Sequence, residues 1–353
     1  MGAKEFASLL GGLALFLYGM NMMSQGMEAA AGNKMKQILE RLTTNRYLGV
    51  LVGAVITAII QSSSATTVMV VGFVNSGMMT LRQAVGVIMG ANIGTTITGQ
   101  LIALDAGAIA PFIAFFGCCD GCFSKTAEGK KHRRYFSWSW CSFIGMEMMS
   151  TAMMPLRDSK AFIDMMTKFS NPLLGILAGA IFTALIQSSS ASVGILQALA
   201  TSGAISFSGA VYVLFGQNIG TCITAILSAI GANTNAKRAA MIHLYFNLIG
   251  TILFMAVFYT VNAAVHFSFM SQAATPAGIA ILHSAFNVSA TLVLLPFGKA
   301  LEKLACLTIR DKKEEEAADP DFMILESRFL EKPAFAVEQS RNAAKKMAED
   351  SHK

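Results

Sequence analysis

The stretch Ile60-Gln61-Ser62-Ser63-Ser64-Ala65 breaks an apolar run that extends from residue 47 to residue 79. A glutamine and three consecutive serines are expensive in lipid, where an unsatisfied polar group costs several kcal/mol. The same cluster returns 126 residues later as Gln187-Ser188-Ser189-Ser190-Ala191. Two other signatures share that offset. Gly19-Met20-Asn21-Met22-Met23-Ser24 returns as Gly145-Met146-Glu147-Met148-Met149-Ser150, and Asn92-Ile93-Gly94-Thr95 returns as Asn218-Ile219-Gly220-Thr221. Without any gap, 33 of the 80 positions from 19 to 98 are identical to their counterparts. The chain therefore carries an internal duplication.

Composition sets the solvent. Of 353 residues, 54% are hydrophobic and 14% charged, against roughly 25% charged in ordinary soluble domains. The last 46 residues hold 20 of the 48 charges, and no charged side chain occurs from residue 170 to residue 236. No soluble fold hides so much apolar chain, so the sequence describes an all-α polytopic membrane protein. Nucleic-acid binders, soluble enzymes, secreted disulfide scaffolds and disordered chains are excluded. The net charge of +6 reflects loop lysines and arginines. The N-terminus runs into an apolar stretch without a cleavage pattern, which reads as a retained first membrane helix.

The apolar segments fall at about residues 6–27, 47–79, 84–104 and 106–123 in the first copy. After the second copy come 239–265 and 275–295. Residues 33–44 form a short amphipathic stretch suited to the interface. The second segment is interrupted at Gln61–Ser64 and the third at Gly90-Ala91-Asn92-Ile93-Gly94-Thr95-Thr96. A transporter domain is expected over residues 1–307, with repeats at about 6–123 and 135–265 and a further helix at 275–306. A charged cytoplasmic tail is expected over 308–353.

Interrupted helices at matching positions of a duplicated membrane chain point to a transporter substrate site. A broken helix frees N–H groups, which attract anions, and carbonyls, which with hydroxyls coordinate small hard cations. The competing reading of a lone serine is a bond to its own helix or a neighbour; a fourfold cluster occurring twice outweighs it. For Gly90–Thr96 the competing reading is close packing of small residues. No Lys or Arg lies within either serine cluster, Arg82 being nearest to the first. A multivalent anion would then need dipoles, hydroxyls and co-bound cations, which argues for cation coupling. The two repeats also place no Asp, Glu or His within the membrane to relay protons. His243 and Asn247, and likewise His283 and Asn287, each share a helix face; contact between helices is the simpler reading of both pairs.

These residues resemble the sodium-dependent phosphate cotransporter family, the type II Na⁺/phosphate symporters and their bacterial relatives. The resemblance rests on the paired Gln-Ser-Ser-Ser clusters, on Gly90–Thr95, and on its variant Gly216-Gln217-Asn218-Ile219-Gly220-Thr221. It covers residues 6–300. It implies two inverted repeats with re-entrant hairpins, and phosphate with Na⁺ bound where the clusters meet. Carried onto this chain, the binding residues are Gln61, Ser62, Ser63, Ser64, Gln187, Ser188, Ser189 and Ser190. Thr66, Asn92, Thr95, Ser192, Asn218 and Thr221 are secondary candidates. The implied function is Na⁺-coupled phosphate transport by alternating access in the inner or plasma membrane, without catalysis. No cofactor is expected beyond Na⁺ as coupling ion, and no nucleic-acid partner. Alternatives are a phosphate exporter, another oxyanion transporter, or a non-transporting phosphate sensor. Lys34, Lys36, Arg41 and Arg46, against the balanced Arg157, Lys160, Lys168, Asp158 and Asp164, favour the first loop as cytoplasmic.

Two stretches depart from the family. Residues 322–347 resemble the start of a PhoU-like helical domain that the chain does not continue. Residues 118–143 replace an expected apolar helix start with Tyr135-Phe136-Ser137-Trp138-Ser139-Trp140-Cys141, beside Lys130–Arg134 and three further cysteines, Cys118, Cys119 and Cys122. With His132 these could be read as a metal site, but the spacing lacks a clean Cys-Xaa-Xaa-Cys pair on each side. Local divergence by a compensated shift of reading frame is the preferred account, and no metal site is expected.

Overall fold

The computed structural model describes residues 3–31, 45–103 and 171–310, with isolated positions between 144 and 168 and at 340, 341 and 344. The interfacial stretch, the cysteine-rich segment and all of the tail but residues 308–310, 340, 341 and 344 lie outside the described residues.

The described chain is helical. In order come α1 (Ala3–Ala31), α2 (Arg46–Ile60), α3 (Ser63–Asn75), α4 (Leu81–Ala103), α5 (Pro172–Ile186), α6 (Ser189–Thr201), α7 (Phe207–Ser228), α8 (Thr234–Val265), α9 (Pro276–Leu294) and α10 (Gly298–Thr308). Among the described residues, α4, α7, α8 and α9 are long and apolar enough to cross a bilayer, while α2, α3 and α5 are apolar but shorter. Outward faces carry exposed Leu173, Leu185, Ile252 and Val257, as lipid-facing helices require.

Each serine cluster turns a helix back on itself. α2 ends at Gln61, whose backbone is left-handed at φ 61° and ψ 23°, and its N–H bonds the Thr57 carbonyl. Ser62 then opens α3, its hydroxyl accepting from the Ala65 N–H. The second copy repeats this step for step, with Gln187 at φ 60° and ψ 21° and Ser188 accepting from Ala191. Serine is a favoured N-cap because its oxygen satisfies an otherwise unpaired N–H. A non-glycine residue in the left-handed region costs about 1–2 kcal/mol, so both turns store strain at the same place. The expectation of breaks at Gln61–Ser64 and Gln187–Ser190 holds.

The expected break at Gly90–Thr96 does not occur. α4 runs unbroken through it, and α7 runs unbroken through Gly216–Thr221. The glycines serve packing instead. A Cβ on Gly90 would lie 2.0 Å from the Val50 carbonyl oxygen, and one on Gly94 would lie 2.4 Å from that of Ala54. In the second copy Gly216 and Gly220 stand at 2.0 and 2.3 Å from the Ile176 and Ala180 oxygens. The small residues therefore let α4 lie backbone to backbone along α2, and α7 along α5. The polar residues need no break either, because Asn92 and Thr95 bond the Ile88 and Ala91 carbonyls one turn back.

These contacts fix directions. Val50 meets Gly90 and Ala54 meets Gly94, so α2 and α4 run parallel. Thr98, further along α4, bonds Gln61 at the hairpin tip, and α4 continues past that tip to Gly99, which accepts from Gln197 of α6. In the other copy α7 passes its own tip and leads to Asn233, which bonds Asn75 at the end of α3 through two contacts of 2.7 and 2.8 Å. Each hairpin is thus flanked by the far end of the other repeat's long helix. The two homologous units run in opposite senses and meet tip to tip. α1 braces the junction from outside, Phe16 seating its ring against Gly194 of α6.

Candidate functional site

The two hairpin tips touch through symmetry-related atoms. Ser63 Oγ lies 3.3 Å from Ser189 Oγ, the same position in the two copies. The Ser64 hydroxyl donates to the Gln187 carbonyl at 3.3 Å, and the Ser190 hydroxyl donates to the Gln61 carbonyl at 3.5 Å. The pattern is that of a two-fold contact, residue i to j and j to i. All three separations exceed the usual 2.7–2.8 Å of a hydroxyl bond, so each contact is weak. Six of the eight cluster residues therefore come together at the junction, while Ser62 and Ser188 stand one residue back as caps.

Behind each tip a second hydroxyl pair ties the arms. Thr57 donates to Thr66 at 2.9 Å in the first hairpin, and Thr183 pairs with Ser192 at 2.7 Å in the second. Thr66 and Ser192 thus buttress the turns from behind. Thr57 and Thr183 were missed in the sequence, although their identity across the 126-residue offset marks them. The caps use the Ala65 and Ala191 N–H groups, which leaves the first N–H groups of α3 and α6 directed into the junction. Two positive helix ends brought together repel unless an anion or its equivalent lies between them. Arg82 opens α4 at the far end of α3, about 20 Å along that helix from the tip.

The remaining candidates sit apart. Asn92, Thr95 and Thr221 spend their side-chain donors on their own helices. Asn218 donates to the Leu214 carbonyl and turns its oxygen to His283 Nε2 at 3.2 Å. His283 thus joins α9 to α7, as the simpler reading of that pair expects. Among the described residues His243 makes no ring hydrogen bond, though its backbone carbonyl accepts from Asn247 and Cys222. Gln217 reaches Ser192 O with its amide nitrogen. It escaped notice because its counterpart in the first copy is Ala91.

Two homologous helical units, each ending a buried hairpin in polar caps, define a duplicated membrane transporter. The chain belongs to the Na⁺/Pi-cotransporter family, whose profile matches residues 15–151 and again residues 142–283. The family is one of transporters and not of enzymes. Among similar proteins, YqeW of Bacillus subtilis is 31% identical over 310 residues, covering 85% of this chain and 97% of its own. The Escherichia coli protein named "Putative inorganic phosphate export protein YjbB" is 26% identical over 309 residues, covering 87% of this chain. This chain spans only 56% of that relative's length. The human "Sodium-dependent phosphate transport protein 2B" is 38% identical over 105 residues, 29% of this chain and 15% of its own. No solved structure matches the chain.

Proposed function

We propose that this chain moves inorganic phosphate across the membrane coupled to Na⁺, with both held where the two hairpin tips meet. The carrying observation is the paired contact of Ser63 with Ser189, and of Ser64 and Ser190 with the opposite glutamine carbonyls, at two helix N-termini. Phosphate oxygens accept from the helix N–H groups and serine hydroxyls. Na⁺ takes the left-handed glutamine carbonyls and the hydroxyl lone pairs. Gln61, Ser62, Ser63 and Ser64, with Gln187, Ser188, Ser189 and Ser190, form the site. Thr66 and Ser192 position it, and Asn92, Thr95, Asn218 and Thr221 line the long helices beside it. The opposed repeats supply alternating access across the membrane, one hairpin yielding while the other seals. The family and the names of the Escherichia coli and human relatives support phosphate as the substrate. The name of the Escherichia coli relatives favours a second reading, net export through the same site.

The test is radiolabelled phosphate flux in proteoliposomes of fixed orientation, with the Na⁺ gradient set inward or outward. Uptake should follow the inward gradient and fall about 10–100-fold on Ser63→Ala/Ser189→Ala, the scale of losing one or two charge-assisted hydrogen bonds. Flux that ignores Na⁺ would sink the coupling, and phosphate binding without flux would leave a sensor.

A further inference from the structure

Between α8 and α9 lies a polar face that the hairpin tips do not use. The sequence pairs His243/Asn247 and His283/Asn287 extend by one more turn each, to Thr251 and Thr291, so both helices carry His-Xaa3-Asn-Xaa3-Thr. The helices cross where Gly250 faces Ala290, a Cβ on the glycine standing 3.1 Å from Ala290 Cβ. Asn247 and Thr251 stand three residues before and one after Gly250. Asn287 and Thr291 stand three before and one after Ala290. Equal helical offsets in two antiparallel helices put all four side chains on the same side of the crossing. α7 closes that side, with Asn247 Nδ2 3.4 Å from Cys222 Sγ.

The four side chains are each at most 3% exposed, and each carries a buried oxygen without a partner among the described residues: Asn247 Oδ1, Thr251 Oγ1, Asn287 Oδ1 and Thr291 Oγ1. The amide orientations are not ambiguous. Asn247 Nδ2 bonds the His243 carbonyl and Asn287 Nδ2 the His283 carbonyl, each at 2.9 Å. A carbonyl only accepts, so the nitrogen belongs there and the free atom is an oxygen. Buried polar atoms without partners are rare in native proteins and call for a bound ion or water. The two amide oxygens repel an anion, and with the hydroxyl lone pairs they suit a small hard cation. No Asp or Glu occurs from residue 207 to residue 294, so a divalent ion would keep its charge uncompensated there and a monovalent one fits.

We propose that Asn247, Thr251, Asn287 and Thr291 form a monovalent cation site between α8 and α9, separate from the hairpin tips. Its choice of Na⁺ over K⁺ rests on the proposed Na⁺ coupling; its existence rests on the oxygens. The site would seat a coupling ion away from the phosphate, joined to α7 through Cys222.

The test uses the purified full chain in detergent without phosphate, its melting temperature titrated with NaCl, KCl or choline chloride at constant ionic strength. NaCl should raise the melting temperature of the wild type. In Thr251→Val/Thr291→Val, which keeps shape but removes two oxygens, the midpoint of that titration should rise at least tenfold, and Thr251→Ser/Thr291→Ser should restore it. Stabilisation by KCl equal to NaCl would keep the site and remove the Na⁺ assignment. A valine variant that is more stable in all three salts, or that responds to NaCl as the wild type does, would overturn the site. Wild-type flux without Na⁺ dependence would defeat the transport reading, while this thermal titration would still report on the site.

Discussion

The two hairpin tips share a sequence and a backbone but not a setting. Gln61 and Gln187 hold nearly the same left-handed angles, φ 61° and 60°. Yet Gln61 is only 5% exposed and its amide is fully engaged: Nε2 bonds the Ala58 carbonyl, and Oε1 accepts from Thr98 at 2.7 Å. Gln187 is exposed, and among the described residues its amide has no such partner. The difference lies one helix away. Thr98 turns its hydroxyl to the tip, whereas its counterpart Thr224 bonds Thr221 O within α7. Local sequence writes the turn, and the neighbouring helix decides whether the turn is sealed. One sealed tip and one open tip are what a carrier facing one side should present.

The glycine seams should break both halves alike and give the largest effect. Gly90→Ala and Gly216→Ala each force a Cβ to 2.0 Å from a backbone oxygen, which no side-chain rotation relieves. The cost should reach about 3 kcal/mol, the upper end of overpacking. Each variant should lose most of its folded fraction in size-exclusion chromatography of detergent extracts. A half that tolerates the methyl group would show that its seam is not the structural equal of the other.

The middle effect separates the halves. Thr98→Val leaves the buried Gln61 oxygen unpaired and should destabilise by about 1–3 kcal/mol. Thr224→Val removes a bond within one helix turn and should cost only a few tenths of that. Comparable losses in thermal melts of the two variants would mean that Thr98 does not seal its tip.

Much of this was legible in the sequence. The duplication, the helical class and the two interruptions follow from an apolar run broken twice at one offset, while the turning back of the chain at each break comes only with the family resemblance. The caps follow from serine chemistry at Ser62 and Ser188. The reading failed at Gly90–Thr96, because glycine beside asparagine and threonine looks the same whether it breaks a helix or admits a neighbouring backbone. Only the partner helix tells them apart, and Val50 and Ile176 carry no mark of that role. Thr98 and Gln217 were invisible for a related reason. Their meaning lies in which side of a continuous helix meets a tip far away in sequence. Thr251 and Thr291 were within reach, since the His-Asn spacing of four simply repeats once more.

The smallest expected effect is kinetic and bears most directly on the sealed and open tips. In a background whose six cysteines are replaced, Gln61→Cys and Gln187→Cys place a thiol at equivalent backbone positions. Intrinsic thiol chemistry should differ little between them, because both follow a helix C-terminus and precede a serine cap. Access then sets the rate, as thiolate modification requires. A small charged maleimide should modify Gln187→Cys at least tenfold faster than Gln61→Cys, a difference of about 1.4 kcal/mol in the accessible fraction. Adding Thr98→Val should speed the Gln61→Cys reaction and leave the other unchanged, because only the first tip is held by that threonine. Should phosphate with Na⁺ slow both reactions together, the ligand sits between the tips; should it slow Gln187→Cys alone, the ligand enters from the open side and the sealed tip forms the floor. Equal rates without ligand would mean that the two tips are equally open, and the asymmetry drawn from Thr98 and Thr224 would fall.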